Sequence, residues 1–192
     1  MGREFELKYA ATPAVLEALA AKFGPGRKIS MATTYFDTAD HALSARHMTL
    51  RLRQENEEAV CTLKTPLADG SRGEWECHAA DIQHGISVLL ECGAPGLLAE
   101  LTAPGVMAVC GARFTRLAVE VPTADGMAEL ALDCGVLCGT ATEIPLCEVE
   151  LELKSGSEEA LAAVAQNIAQ AYDLQPEPRS KFSRAIALIQ GE

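Results

Sequence analysis

The stretch Glu4-Phe5-Glu6-Leu7-Lys8 (EFELK) alternates charged and apolar residues near the start of the chain. Successive side chains of a β-strand point to opposite faces, so this segment predicts a strand with one charged face and one apolar face. Taken alone, it fits a surface strand of an antiparallel sheet whose charged face lies in water. Whether that face is instead a binding surface depends on whether the pattern recurs.

Charged residues at every second position recur in five further segments of the chain. These segments are TLRLR (49–53), CTLK (61–64), EWE (74–76), ELALD (129–133) and EVELELK (148–154). Acidic and basic segments are separate, and like charges opposite one another on neighbouring strands destabilise a sheet. If the charged faces turn inward in a closed sheet, they line a lumen with carboxylates on one side and basic groups on the other. The alternative is a network of surface salt bridges, each of which contributes little stability.

A lumen with clustered carboxylates and clustered basic groups fits a ligand that carries several phosphates. Carboxylate oxygens bind a hard divalent cation such as Mg²⁺, and Arg and Lys bind phosphate oxygens. Metal ions and phosphate groups bridge each other in phosphoryl-transfer sites. The charge pattern therefore predicts a metal-assisted site for adjacent phosphates.

Composition limits the class of protein further. The chain has 192 residues and a formal net charge of −11, so we expect one domain over residues 1–192 and no nucleic-acid partner. It contains neither an apolar run of membrane-spanning length nor a signal-peptide pattern, which predicts a cytoplasmic protein without membrane contact. The seven cysteines form no CxxC motif and are interpreted as small core residues of a reducing compartment rather than zinc ligands. Nothing in the sequence indicates the oligomeric state.

The local patterns predict an α+β fold of about eight strands and several helices. Strands are expected at residues 3–10, 31–38, 48–54, 58–65, 73–79, 114–122, 127–133 and 146–154. Helices are expected at 13–23, in two short pieces within 81–112, at 157–172 and at roughly 179–190. Thr12 before Pro13, and Ser157 before two glutamates, are typical helix starts. The helices at 13–23 and 157–172 are amphipathic and can cover part of the apolar outer face of the sheet.

Taken in order, these motifs resemble the CYTH domain, the family of triphosphate tunnel metalloenzymes. The resemblance begins with E-x-E-x-K, formed by Glu4, Glu6 and Lys8, and covers essentially the whole chain. The other matching segments are YFDT (35–38), LRLR (50–53), TLK (62–64), EWE (74–76), ELALD (129–133), CEVELELKSG (147–156) and SKFSR (180–184). The resemblance implies an eight-stranded antiparallel β-barrel that forms a tunnel with flanking helices. It also implies hydrolysis or cyclisation of a triphosphate with Mg²⁺ or Mn²⁺.

The same resemblance implies roles for individual residues. The implied metal ligands are Glu4, Glu6, Glu148 and Glu150, with Asp133 as a further candidate. The implied phosphate cradle consists of Lys8, Arg51, Arg53, Lys64, Arg116, Lys181 and Arg184. Arg116 competes for its place with Arg113, which lies nearby with the opposite parity. Four further acids, Glu74, Glu76, Glu129 and Glu152, share the inward parity and are expected to tune neighbouring bases.

The implied reaction is in-line attack of water on the terminal phosphorus, with the metal and the basic groups neutralising the developing charge. The catalytic candidates that can activate the water are Glu148, Glu150 and Lys64 with a lowered pKa, besides the metal itself. Inorganic tripolyphosphate is the expected substrate, because the layout is most similar to that of the bacterial inorganic triphosphatases. The alternatives are a class IV adenylyl cyclase, a thiamine triphosphatase, and a non-catalytic module that binds polyphosphate or nucleotides.

Overall fold

The computed structural model describes residues 2–3, 5–67 and 72–190. Within them, one antiparallel sheet contains β1 (Gly2–Arg3), β2 (Glu6–Ala10), β3 (Arg27–Asp37), β4 (Thr49–Glu55), β5 (Glu58–Pro66), β6 (Arg72–His78), β7 (Met107–Pro122), β8 (Met127–Cys138), β9 (Glu143–Ser155) and β10 (Gln175–Pro176). The helices are α1 (Pro13–Phe23), α2 (Ile82–Glu91), α3 (Leu97–Thr102), α4 (Glu158–Tyr172) and α5 (Lys181–Gln190), with a 3₁₀ turn at Ser44–Arg46. The expected α+β class with eight main strands is confirmed, because β1 and β10 have only two residues each.

The order of the strands across the sheet is β1-β6-β5-β4-β3-β7-β8-β9-β2-β10. The N-terminal segment lies at one end of this order and next to the other. Strand β1 is the first strand and pairs with β6, while β2 pairs with β9 and is followed only by the two-residue β10. Three Cα–Cα steps connect Arg3 to Glu6, so the two ends of the sheet are no more than about 11 Å apart there. The sheet therefore curls around a central space. Among the described residues, no hydrogen-bonded strand pair joins its two ends, so the expected barrel is curled but not closed by its ladder.

Two apolar clusters cover the outer face of the curled sheet. In the first, Leu19 of α1 and Leu161 of α4 pack on Leu130 of β8 and Leu151 of β9. The predicted N-caps hold these helices, because the side chains of Thr12 and Ser157 accept hydrogen bonds from backbone N–H groups of the first turns. In the second cluster, α2 and α3 cover the outer side of β4, β5 and β6, where Trp75 is buried. The apolar faces of the predicted strands thus pack against helices and form two helix-on-sheet cores of the ordinary kind.

Helix α5 packs at the inner side of the sheet rather than the outer side. Its Phe182 and Ala185 belong to an apolar cluster with Met31 and Tyr35 of β3 and Phe114 of β7. The rings of Tyr35 and Phe182 have centroids 5.1 Å apart. The last helix therefore covers one end of the central space.

Two strands begin well before the positions that the sequence pattern predicts, and β8 and β9 also extend beyond their predicted ranges. Strand β3 begins at Arg27 instead of residue 31, and β7 begins at Met107 instead of residue 114. These two strands pair with each other from Arg27 opposite Ala118 to Asp37 opposite Met107. The additional residues are held by this long-range ladder, which no local pattern contains.

The described helices include none that is both long and apolar enough to cross a bilayer.

Candidate functional site

A cavity of about 290 Å³ lies inside the curled sheet, and each of the eight long strands contributes to its wall. The basic residues that line it are Lys8, Arg27, Arg51, Arg53, Lys64, Arg72, Arg116, Lys154 and Lys181. The acidic residues that line it are Glu6, Glu55, Glu74, Glu76, Glu129, Glu150 and Glu152. A chain with a net charge of −11 thus has a local excess of basic groups here. Such a charged concave surface is suited to an anionic ligand.

Strands β4, β5 and β6 place basic and acidic side chains side by side on one wall of the cavity. Lys64 lies opposite Glu74 in the register, and its Nζ is 3.3 Å from a Glu74 oxygen. Arg51 Nη2 is 3.8 Å from Glu74 and 3.7 Å from Glu76, and Arg53 Nη2 is 3.9 Å from Glu76. Burial lowers the pKa of Arg53, and the like charge of Arg51 adds to this effect. The two glutamates thus balance basic groups that lie close enough to repel one another.

Strands β8 and β9 carry a cluster of three buried carboxylates, Asp133, Glu148 and Glu150, referred to below as the carboxylate cluster. Of the three, Glu150 lines the cavity, while Asp133 and Glu148 lie behind its wall. Asp133 and Glu148 lie directly opposite each other on β8 and β9, and Glu150 follows two residues later on the same face. One oxygen from each side chain lies within 4.8 Å of the other two. Three like charges this close in a buried place require compensation.

Arg116 of β7 compensates two members of the carboxylate cluster. It lies directly opposite Asp133 and donates two parallel hydrogen bonds, from Nε to Oδ1 at 2.8 Å and from Nη2 to Oδ2 at 2.7 Å. Its Nη2 also donates to Oε2 of Glu150. Burial acts to lower the pKa of Arg116, but Asp133 and Glu150 outweigh it and raise the pKa well above its ordinary value. This bidentate geometry is the strong form of an arginine–carboxylate pair.

Two side chains from α5 complete the compensation. Lys181 Nζ lies 2.8 Å from Oδ2 of Asp133 and 2.8 Å from Oε1 of Glu150, and it also contacts Oε1 of Glu148. Arg184 contacts Oε2 of Glu148. All six oxygens of the carboxylate cluster therefore have a basic partner, and three negative charges face three positive ones. The spacing of Lys181 and Arg184 places both on the same face of α5, as predicted.

The pKa values of Glu148 and Glu150 are shifted in opposite directions. Burial raises the pKa of Glu148, and the charge of Glu150 adds to this, while Lys181 opposes it. Burial also acts to raise the pKa of Glu150, but Lys181 and Arg116 outweigh it and hold that pKa well below the usual value. Glu150 is thus the firmly ionised carboxylate of the pair, and Glu148 is the better proton acceptor.

The donor set of the carboxylate cluster fits a hard divalent cation, because Mg²⁺ and Mn²⁺ prefer carboxylate oxygens. Lys181 already occupies this place, because its ammonium group contacts all three carboxylates. A divalent cation would balance the same charge at the same oxygens. The cluster can therefore hold a metal ion in competition with Lys181.

The comparison that decides the family concerns nearly the whole chain. The CYTH domain matches residues 2–186. This chain belongs to the CYTH family.

Individual proteins are similar to this CYTH protein in sequence or in fold. The inorganic triphosphatase of Haemophilus influenzae is 29% identical over 197 residues, which cover 98% of this chain and 55% of that protein. The chain thus spans about half the length of this curated relative. A solved structure from Hippeastrum, named as a candidate adenylyl cyclase with a dominant triphosphatase activity, has a TM-score of 0.69 at 19% identity and covers 97% and 96% of the two chains. The PH1819 protein of Pyrococcus horikoshii OT3 has a TM-score of 0.65 at 21% identity, with 98% and 99% covered.

The structure of this CYTH protein separates the predicted metal ligands into two places. Asp133, Glu148 and Glu150 form the carboxylate cluster. Glu6 lies elsewhere on the cavity wall, opposite Glu152 in the register and 3.3 Å from Lys8. The fifth predicted ligand, Glu4, lies outside the described residues.

Most of the predicted phosphate cradle faces the cavity of this CYTH protein. The six residues that do so are Lys8, Arg51, Arg53, Lys64, Arg116 and Lys181. Arg184 lies behind the wall with Glu148. The parity question raised by the sequence is resolved in favour of Arg116, because Arg113 pairs with the exposed Glu143 away from the cavity. Of the catalytic candidates, Lys64 and Glu150 line the cavity, whereas the side chain of Glu148 is fully buried.

Several cavity residues were missed from the sequence. Arg27 and Arg72 also line the cavity, but they precede the predicted strands. Lys154 belongs to the predicted charged face of residues 148–154 and lines the cavity too, although no role was assigned to it. An apolar strip of Ile29, Met31, Tyr35, Phe114 and Phe182 also reaches the cavity. For the part of this strip on β3, the signal was the period-two alternation of Ile29, Met31 and Tyr35. Thr33 interrupts this alternation and obscures it.

A second cleft of about 240 Å³ adjoins the charged cavity of this CYTH protein. Both are lined by Thr49, Arg72, Ser180 and Phe182. The remaining residues of the second cleft are Ser44, His47, Met48, Ser183 and Ile186. Among the described residues that line it there is no carboxylate, so besides Arg72 and His47 this cleft offers hydroxyl groups and apolar surface beside the charged space.

Proposed function

We propose that this protein is a divalent-metal-dependent triphosphatase that hydrolyses inorganic tripolyphosphate to pyrophosphate and phosphate. The observation that carries the proposal is one cavity that is lined both by many basic side chains and by Glu150, the member of the carboxylate cluster that reaches it. Membership of the CYTH family and the name of the Haemophilus influenzae relative, inorganic triphosphatase, support the choice of substrate. The proposal treats residues 1–192 as one functional domain, because side chains from Glu6 to Phe182 line the same cavity.

The basic wall is suited to bind the phosphate groups of the substrate. Arg51, Arg53 and Lys64 lie on neighbouring strands and point into the cavity. Their distances to Glu74 and Glu76 are 3.3–3.9 Å, so these are loose ion pairs rather than tight hydrogen bonds, whereas Arg53 also has a close contact with Glu55. Phosphate oxygens can therefore replace the carboxylates as closer partners, and Arg can bind them with two parallel hydrogen bonds.

The carboxylate cluster is the proposed seat of Mg²⁺ or Mn²⁺. Glu4 and Glu6 stay predictions as metal ligands, because Glu6 lies elsewhere on the cavity wall and Glu4 lies outside the described residues. When bound, the metal polarises phosphoryl oxygens and neutralises charge that develops during displacement. Lys181 touches the carboxylate cluster and also lines the cavity. It is therefore positioned to exchange its contacts with the carboxylates for contacts with a phosphate oxygen of the substrate.

The groups that can accept a proton from the attacking water differ in their access to the cavity. Glu150 lines the cavity and its pKa is held well below the usual value, which suits a metal ligand or an acceptor that orients the attacking water. Glu148 has the raised pKa of a proton acceptor, but it contacts the cavity only through Lys181. Lys64 lines the opposite wall beside Glu74 and is retained as the alternative catalytic group.

The test is product analysis of the purified protein with Mg²⁺ and, separately, tripolyphosphate, thiamine triphosphate and ATP. We expect rapid release of one phosphate from tripolyphosphate and slow turnover of the other two. Substitution Glu150→Gln is expected to lower kcat for tripolyphosphate by about 100-fold or more. The matched control is Glu143→Gln, because Glu143 is an exposed acid on the same strand. If the protein binds tripolyphosphate tightly but turns over none of the three compounds, it is a binding module and the proposal is wrong.

The second cleft favours one alternative function, the hydrolysis or cyclisation of a nucleoside triphosphate. Its hydroxyl groups and the ring of Phe182 can accept a neutral organic substituent, while the phosphates occupy the charged cavity. Substitution Ser183→Trp would fill this cleft at a residue that does not line the charged cavity. Loss of ATP turnover in that variant, with tripolyphosphate turnover unchanged, would establish this alternative.

A further inference from the structure

A pair of thiols lies on the outer face of the two strands that carry the carboxylate cluster. Cys134 of β8 and Cys147 of β9 are direct cross-strand partners, and their Sγ atoms are 3.8 Å apart. Cys134 follows Asp133 and Cys147 precedes Glu148, so the thiol pair is the next step of the ladder after the two buried carboxylates. Adjacent residues of a strand point to opposite faces, which places the thiols outside and the carboxylates inside.

The backbone geometry of this pair suits a covalent bridge. The carbonyl of Cys147 accepts a hydrogen bond of 3.0 Å from the N–H of Ala11, on the side away from β8. The N–H and C=O of a residue in an antiparallel strand point to the same side, so Cys134 and Cys147 form a non-hydrogen-bonded pair. In such pairs the Cα atoms are about 4.5 Å apart and the side chains are closest, which lies within the range found for disulfides.

The chain contains a second cross-strand thiol pair that serves as an internal comparison. Cys61 of β5 and Cys77 of β6 are also direct partners. The side chain of Cys61 is fully buried beneath α2, where a Cβ atom on Gly85 would come within 2.5 Å of its Sγ. A disulfide oxidant therefore has no access to the sulfur of Cys61. In contrast, Cys134 is exposed to solvent and Cys147 is partly exposed.

We propose that Cys134 and Cys147 are a thiol–disulfide site that forms a reversible intramolecular disulfide when it meets a small disulfide oxidant such as oxidised glutathione. The thiolate of exposed Cys134 attacks one sulfur of the oxidant, forms a mixed disulfide and releases one glutathione thiolate. The thiolate of Cys147 then attacks the Cys134 sulfur and releases the second glutathione. Two protein thiols are oxidised, one disulfide is reduced to two thiols, and the two protein protons pass to the glutathione thiolates.

The bridge has a consequence for the strands that hold the carboxylate cluster. It closes a short loop, because the two cysteines are 13 positions apart in the chain. A closed loop of about this length restricts the unfolded chain and stabilises the fold. The bond also fixes the separation of β8 and β9 at the step next to Asp133 and Glu148. Oxidation is therefore expected to raise the melting temperature reversibly.

The experiment treats the purified full chain with oxidised glutathione, digests it after alkylation, and identifies linked peptides by mass spectrometry. We expect a Cys134–Cys147 link and a melting temperature about 5 °C higher, lost again on reduction with dithiothreitol. Cys134→Ser and Cys147→Ser are each expected to abolish both effects. Cys92→Ser, which removes another exposed thiol, is the control and should leave both effects intact.

Three results would overturn the proposal. The first is a mixed disulfide with glutathione at Cys134 that does not proceed to the protein disulfide. The second is a link between Cys61 and Cys77 in place of the link between Cys134 and Cys147. The third is a disulfide-linked dimer through Cys134 in place of the intramolecular bond. Each is distinguished by the same peptide map and by non-reducing electrophoresis, and none depends on whether the protein hydrolyses triphosphates.

Discussion

Arg116 and Asp133 lie directly opposite each other on β7 and β8 and are joined by two parallel hydrogen bonds of 2.8 and 2.7 Å. The Asp133 side chain is completely buried, and Arg116 is largely so. A buried pair of this kind gives little net stability over an apolar pair, but removal of one partner leaves an uncompensated charge. The pair therefore links the stability of the fold to the charge balance of the carboxylate cluster.

The first prediction concerns this balance. Arg116→Gln removes the positive charge that faces Asp133 and Glu150, so we expect the free energy of unfolding to fall by about 3–5 kcal/mol. Arg116→Lys keeps the charge but loses the paired hydrogen bonds, so its free energy of unfolding should fall by less than that of Arg116→Gln. Urea denaturation followed by circular dichroism measures both. A change within about 0.5 kcal/mol for Arg116→Gln, the usual range for surface substitutions, would contradict the buried-pair argument.

The second prediction concerns competition between Lys181 and a metal ion. Lys181→Met leaves the three carboxylates with two basic partners, so the variant should melt at a lower temperature without Mg²⁺. Mg²⁺ should bind the variant about tenfold more tightly than the wild type, which corresponds to about 1.4 kcal/mol. Isothermal titration calorimetry measures this affinity directly. The matched control is Lys28→Met, because Lys28 is an exposed lysine of β3 that does not line the cavity. Equal Mg²⁺ affinity in the variant and the wild type would mean that the ion binds elsewhere.

Much of the site could be predicted, because alternate residues of a strand share a face and the sequence shows which residues alternate. The alternation at Arg51, Arg53 and Lys64 predicts that these residues share one face, and all three line the cavity. The same parity selects Arg116 over Arg113 once the strand boundaries are known. Period-two patterns are local, and for that reason the eight main strands, and the inward charged faces of six of them, could be predicted from the sequence alone.

The arrangement of these faces around the cavity was less predictable, because it depends on long-range pairing. The register of β2 on β9 sets Glu6 opposite Glu152 rather than beside the carboxylate cluster, and a shift of the pairing would change this partner. The docking of α5 brings Lys181 to Asp133, 48 positions earlier in the chain, and no motif states how a terminal helix packs. Arg27 was missed because its strand is defined by pairing with β7.

The third prediction concerns acid stability at the segment before α5. The carboxylate of Glu177 accepts three hydrogen bonds from Arg179, which lower its pKa from 4.5 to about 2. A folded-state pKa below the unfolded value means that this stabilisation is full above about pH 4.5 and is lost as the pH falls towards 2. The stability difference between wild type and Glu177→Gln should therefore be constant near pH 7 and shrink steadily below pH 4.5.

Denaturation by urea at a series of pH values from 7 to 3 measures this difference. Glu57→Gln, at an exposed turn residue, is the control and should follow the wild type at every pH. If the difference in the free energy of unfolding between wild type and Glu177→Gln stays constant down to pH 3, the carboxylate charge is not what stabilises this segment. The backbone N–H of Glu177 also donates to the carbonyl of Lys8 at 2.9 Å, so the test reports on the connection to β2 as well.

The fourth prediction concerns Asp37, the acid of the YFDT segment. Its carboxylate is buried and accepts hydrogen bonds from the backbone N–H groups of Thr38, Leu43 and Ser44 at 2.8–3.0 Å, and from the Ser44 hydroxyl at 2.6 Å. These bonds shape the loop that leads into β4 and hence into Arg51. Asp37→Ala leaves several donors unsatisfied, so we expect the free energy of unfolding to fall by about 2–4 kcal/mol.

Asp40→Ala in the same loop is the matched control. Asp40 is exposed and accepts one hydrogen bond, from the hydroxyl of Thr38 at 2.7 Å, so its loss should cost less than about 1 kcal/mol. Urea denaturation of both variants gives the comparison. If Asp37→Ala retains the stability of the wild type but loses triphosphate turnover, Asp37 acts on the substrate and not on the loop. If it loses stability in the expected range and Asp37→Asn recovers part of it, the acid of this motif supports the fold of the site from outside the cavity.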